Sequence, residues 1–178
     1  LSIDCIHMTA FLIKLNPLCP IEEQMYATID KDDYDLVIAH NWSADVDETN
    51  PSNVYAIAKV DVNGRRLKIR MHRLIMSAQD GTLVDHRNGF TLDNRKKNLR
   101  VVTNSQNKMN SVKRKIATSK YKGVHFEKSS GKFVCEITLD KEKTKFGRFD
   151  TEEEAALCYN EYASKMFGTY VRLNDVRY

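Results

Sequence analysis

The run Val84-Asp85-His86-Arg87-Asn88-Gly89 sets a carboxylate beside an imidazole, and amides follow at Asn94, Asn98 and Asn107. Carboxylate and amide oxygens suit a hard divalent cation, and a neutral imidazole can take a proton from water near neutral pH. Asp85 and Asn107 are therefore candidate metal ligands, with His86 as the candidate general base. Mg²⁺ or Mn²⁺ fits that donor set better than a thiolate-seeking metal. Taken singly, each residue has a plainer reading: a strand-end ion pair or turn for Asp85-His86, a surface helix position for Asn107. Together they spell metal-assisted hydrolysis.

The elements that must position these groups are legible around them. Thr82 to Asp85 and Arg100 to Val102 read as a strand pair joined by the polar loop His86–Asn98. A short helix is expected to start at Thr103, whose hydroxyl makes a capping-box pattern with Gln106. Upstream, Val54 to Val60 and Arg65 to Met71 alternate around Asn63-Gly64, a strong hairpin signal. Asp30 to Trp42 has Tyr34, Val37, Ile38 and Trp42 at helical spacing behind an acidic first turn. Residues 1–25 read either as one apolar strand or as partly disordered, and are assigned no function.

Charge divides the chain unevenly. The formal total is +4, yet residues 1–64 hold 3 Lys/Arg against 11 Asp/Glu, and residues 65–148 hold 22 against 7. A basic excess confined to one stretch points to a polyanionic partner such as nucleic acid. The four cysteines are scattered without a C-x-x-C pair, which argues against a zinc ribbon or a disulfide framework and fits a reducing compartment. Continuous apolarity near the start is confined to Thr9–Leu15, broken by Lys14 and ended by Asn16-Pro17, too short to span a bilayer. No membrane role and no small-molecule cofactor are expected.

Residues 118–174 read as a second module. Lys122 to Lys128, Lys132 to Asp140 and Lys143 to Asp150 are expected as three strands. A helix from Glu152 to Phe167 follows, capped by Thr151 and Glu154 and stopped by Gly168. Phe133, Cys135 and Ile137 should meet that helix, leaving Val134, Glu136 and Thr138 on an open sheet face. Between the modules, Lys108 to Lys120 carries no acidic residue, and Lys113, Arg114 and Lys115 are candidates for tracking a nucleic-acid backbone.

Two resemblances rest on these motifs. Asp85-His86-x-Asn88-Gly89, Asp93-Asn94-Arg95, Asn98-Leu99-Arg100 and the helix-borne Asn107 resemble the HNH endonucleases, most closely the phage and homing types. That resemblance implies a ββα-metal arrangement, with the cation on the scissile phosphate and His86 activating water. It makes Asn98 the middle residue of the signature, bracing the loop or orienting His86, and puts Asn107 where the family carries its final histidine. His72-Arg73 has similar counterparts there and stays open between a phosphate contact and a backbone-satisfied core position. Tyr121-Lys122-Gly123-Val124, Gly131-Lys132-Phe133 and Phe146-Gly147-Arg148-Phe149-Asp150-Thr151 resemble the AP2 DNA-binding domain. Carried over, Lys122, His125, Thr138, Lys143 and Lys145 would face DNA. Lys, His and Thr stand where that family favours arginine, so phosphate contacts should dominate base reading.

The expectation is thus an α+β chain. Residues 1–25 form an uncertain segment, 26–110 an HNH nuclease domain, 111–117 a basic linker, and 118–178 an AP2-like three-stranded antiparallel sheet on one helix. The activity implied is Mg²⁺-dependent hydrolysis of double-stranded DNA by a monomer or a DNA-induced dimer, in the cytoplasm of a host cell if phage-encoded. The alternative is a non-cleaving AP2-like regulator with a relic nuclease loop.

Overall fold

Asn63 and Gly64 both adopt positive φ, 51° and 75°, the geometry a two-residue hairpin turn requires. They join the first long hairpin of a computed structural model that describes residues 10–17, 24–48, 50–111 and 118–177. The chain divides into two compact units, Leu1–Val102 and Thr103–Tyr178. Both mix small antiparallel sheets with few helices, so the class is α+β. No helix among the described residues is long and apolar enough to cross a membrane.

In the first unit, β1 (Ala10–Lys14) and β2 (Asn16–Pro17) are followed by β3 (Tyr26–Asp30), α1 (Tyr34–Ile38) and β4 (Trp42–Asp47). Then come β5 (Asn50–Val62), β6 (Arg65–Arg70), α2 (Met71–Ile75), β7 (Leu83–His86) and β8 (Leu99–Val102). The largest sheet has the order β2-β4-β5-β6, while β1 pairs with β3 and β7 with β8. The helix expected over Asp30–Trp42 is shorter than its apolar spacing implied: a 3₁₀ turn at Lys31–Asp33 leads into five α-helical residues. Trp42 instead opens β4, its indole N–H donating to the Val37 carbonyl at 2.8 Å. Satisfying that buried N–H fixes the turn and sends the chain into the sheet.

Leu15, Ile29, Val37, Trp42, Met71, Ile75 and Leu99 form the core between these elements. Each aliphatic side chain fully buried there contributes about 1.5–3 kcal/mol. Because Leu99 of β8 belongs to this core, the strand pair that carries Asp85 and His86 is tied to the larger sheet.

The second unit begins with α3 (Asn104–Asn110), capped reciprocally by Thr103 and Gln106 as expected. The strands β9 (Val124–Glu127), β10 (Lys132–Leu139) and β11 (Glu142–Phe149) form a sheet in the order β11-β10-β9, and α4 (Glu152–Phe167) follows. Thr151 and Glu154 complete the second capping box. Cys135 and Ile137 pack with Tyr159 and Ala163 of α4, and Phe133 joins Val124, Ala155 and Ala156. Gly123, at φ +71°, lets β9 approach α4 so closely that an added Cβ would sit 2.0 Å from the Tyr159 ring. The opposite face departs from expectation: Val134 is fully buried rather than open, and Glu136 is half-buried.

Candidate active site and nucleic-acid interface

The antiparallel β7–β8 ladder places Asp85 directly opposite Arg100 and His86 opposite Leu99. Arg100 donates from Nε and a terminal nitrogen to the same Asp85 oxygen, Oδ2, at 2.9 and 2.8 Å. Both side chains are largely buried, so this is a charge pair whose members need each other. One Asp85 oxygen is thereby held in place. A carboxylate offers roughly four lone-pair sites, so the pairing still suits an oxygen ligand for a hard cation.

The connection from β7 to β8 is braced by its own amides. Asn98 accepts the Asn88 backbone N–H at 3.0 Å and donates to the Asp93 carbonyl at 2.8 Å. Asn88 in turn accepts from Phe90 N–H at 2.9 Å and donates to Asp93 at 3.0 Å. Arg95 forks onto the Asp93 carboxylate with two 2.7 Å bonds, holding that carboxyl below its ordinary range. Outside contacts staple the loop down: Asn94 N–H donates to Thr28 O at 2.7 Å, and the Thr91 hydroxyl to Val54 O at 2.6 Å. Asn88, Thr91, Asp93 and Asn98 are short polar side chains suited to turns. The loop is fixed from both ends.

His86 is only 4% exposed. Its Nε2 lies 3.4 Å from Asn94 Oδ1, a long contact. Asn94 Nδ2 donates to Leu92 O, which turns Oδ1 toward the ring and makes His86 Nε2 the donor. In the neutral ring the basic lone pair then sits on Nδ1. Burial lowers the His86 pKa, opposed by the Asn94 bond and by the charges of Asp85 and Asp93. The ring is neutral at neutral pH, the form a general base needs.

His72 meets His86 with ring centroids 4.9 Å apart, and Tyr55 lies 5.7 and 6.3 Å from the two imidazoles. His72 is buried and its pKa is pushed down to about 3, chiefly by desolvation, then by His86 and the neighbouring arginines. Arg73 does something different. Its guanidinium donates to the carbonyls of Thr82, Ala78 and Gln79, at 3.4 and 2.9 Å for the last two, tying the turn after α2 to the start of β7. Those bonds give Arg73 a bracing role. His72 packs against the candidate base.

Asn107 lies in α3, exposed, its backbone N–H bonded to Thr103 O. Among the described residues, no three His, Cys, Asp or Glu side chains gather as a metal cluster. Oxygens from Asp85 and Asn107 are of the kind Mg²⁺ prefers.

On the β9–β11 sheet, the register sets His125 beside Val134, Thr138 opposite Lys143, and Glu136 opposite Lys145, after a bulge at Cys135/Glu136. Carboxylates share the face. Lys143 pairs with Glu136 at 3.0 Å, while Glu127 gathers Lys145 at 3.0 Å and Arg148 at 2.7 Å. Those two cations hold the Glu127 carboxyl down at about 2. Lys122 points elsewhere: its ammonium donates to the Lys108, Met109 and Ser111 carbonyls at 3.1, 2.6 and 2.8 Å, closing the C-terminus of α3. Burial lowers its pKa to about 8. Lys113, Arg114 and Lys115 lie outside the described residues.

Several partners went unread in the sequence. Arg100 was recoverable, since pairing the two short strands in the loop's register sets it opposite Asp85. Asn94, Tyr55 and the Lys122 cap had no local signal. No solved structure matches the chain. Residues 70–109, which include Asp85, His86, Asn98 and Asn107, match the HNH endonuclease family, and that match supports a nuclease acting on DNA.

Proposed function

We propose that this chain is a metal-dependent HNH endonuclease that hydrolyses phosphodiester bonds in double-stranded DNA. We read it as a site-preferring nicking enzyme of the homing or phage type, anchored by the AP2-like unit at 118–178. The observation that carries the reading is His86, neutral through burial and adjacent to Asp85, inside the segment that matches the family. Asp85 and Asn107 would hold Mg²⁺, with Mn²⁺ as a substitute. When bound, the ion would stabilise charge developing on the phosphate and on the leaving 3′ oxygen.

The chain's own residues supply the rest. Asn94 contacts the His86 ring, and that imidazole takes the proton of the attacking water. Asn98 holds the loop on which both sit, and Arg100 fixes the Asp85 carboxylate. Lys143, Lys145, His125 and Thr138 would contact DNA, and Lys113, Arg114 and Lys115 would track its backbone.

A non-cleaving DNA-binding regulator is favoured by one observation: His86 is buried and one Asp85 oxygen is already engaged by Arg100. Supercoiled plasmid with Mg²⁺ separates the two. Relaxed circles from the unaltered protein, absent with His86→Ala, support the nuclease. Equal DNA binding by both without cutting supports the regulator.

A further inference from the structure

Beyond Ala58, β5 leaves the sheet. Trp42, the first residue of β4, pairs with Ala58, so Lys59–Val62 and Arg65–Lys68 form a two-stranded ribbon on their own. From Asp61 to Lys68 every residue is exposed. Register assigns the faces: Lys59 lies opposite Lys68, Asp61 opposite Arg66, and Ile57 opposite Arg70. One face therefore carries Lys59, Arg66, Lys68 and Arg70 against Asp61. Val60, Val62, Leu67 and a single cation, Arg65, lie on the other.

Two features of that face do not serve folding. Lys59 and Lys68 stand directly across the ladder, a like-charge pairing that costs stability. Asp45 compensates Lys68 with a 2.5 Å contact, while the Arg66–Asp61 pair is long at 4.0 Å and fully solvated. The cationic levels at 66, 68 and 70 are spaced about 6.8 Å apart, two strand residues each, close to the separation of successive phosphates along a strand. The track also leads somewhere. Arg70 lies 4.9 Å over the Tyr55 ring, and Tyr55 touches His72 and His86.

We infer that the β5–β6 hairpin is a second DNA-binding surface, lying on duplex backbone and leading it toward His86. A two-stranded ribbon fits the major groove of B-DNA. Single strands are bound by stacking bases on open aromatics, and the aromatic on this face, Tyr55, is covered by Arg70. The surface deepens the nuclease reading and rests on it only for its direction toward His86.

The test is binding rather than cutting. In full-length His86→Ala protein without divalent metal, duplex DNA affinity is titrated against salt by fluorescence anisotropy. Lys59→Gln with Arg66→Gln and Arg70→Gln should flatten the log–log salt slope by about 2–3, since each phosphate contact contributes about 0.9. Affinity at low salt should fall at least tenfold. The charge-preserving set Lys59→Arg, Arg66→Lys and Arg70→Lys should keep the slope, which separates charge from folding. An unchanged slope in the glutamine variant overturns the proposal even if plasmid is cut. So does tighter binding to single-stranded RNA than to duplex DNA. A hairpin-dependent slope, where the unaltered protein with Mg²⁺ never cuts plasmid, supports the surface and defeats the nuclease reading alone.

Discussion

The imidazoles of His72 and His86 meet edge to face with centroids 4.9 Å apart, both rings buried beside Tyr55. Two histidines in contact cannot both be charged at low cost, and desolvation keeps each neutral. Their pairing links the stability of the first unit to pH.

His72 titrates from about 3 in the folded protein against 6.5 for the free side chain. A depressed histidine pKa means the unfolded chain binds more protons in that interval. Stability is therefore complete above 6.5 and is lost as pH falls toward about 3, at about 1.4 kcal/mol per pH unit. Replacing His72 by Phe removes this contribution. Urea midpoints followed from neutral pH downward should decline less steeply for His72→Phe than for the unaltered protein. Parallel declines would contradict the assignment.

Removing Arg100 leaves the Asp85 carboxylate buried beside an empty partner site. Arg100→Met should cost about 3–5 kcal/mol in chemical denaturation, as broken buried ion pairs do. Arg100→Met with Asp85→Asn should recover part of that loss, because the uncompensated charge is gone. A double variant no more stable than the single one would show that the pair is not what Arg100 supports.

Lys122 caps a helix, so its replacement should register as lost stability rather than lost DNA binding. Lys122→Met forfeits its bonds to the Lys108, Met109 and Ser111 carbonyls and should cost about 1–3 kcal/mol. Its DNA salt slope should stay at the unaltered value. A flattened slope without destabilisation would return Lys122 to the DNA-facing set.

Lys143 and Lys145 make the opposite case. Both ammonium groups are exposed on the sheet face, and ion pairs with a solvent-exposed member contribute little to folding. Lys143→Ala with Lys145→Ala should leave the melting temperature nearly unchanged while reducing the salt slope by up to about 2. A slope identical to that of the unaltered protein removes these two from the interface.

What the sequence determined by itself was local. Asn63-Gly64 specified its hairpin, Thr103 with Gln106 and Thr151 with Glu154 specified their helix starts, and alternation specified which side of β10 meets α4. Each of these is decided within one turn or one pair of strands, by backbone preference and the satisfaction of nearby N–H groups. Asp85, His86 and Asn98 were legible as a group because they share one short segment. Tertiary structure decided the rest. Trp42 fits a helical period, yet its indole needed the Val37 carbonyl, and a strand followed. Asn94 stood among several amides of the segment, and only the fold brought its side chain to the His86 ring. Lys122 looked like a groove contact until the carbonyls of α3 surrounded its ammonium. Buried polar groups take whatever partners the packed chain brings within reach, and residue spacing along the sequence does not encode those meetings.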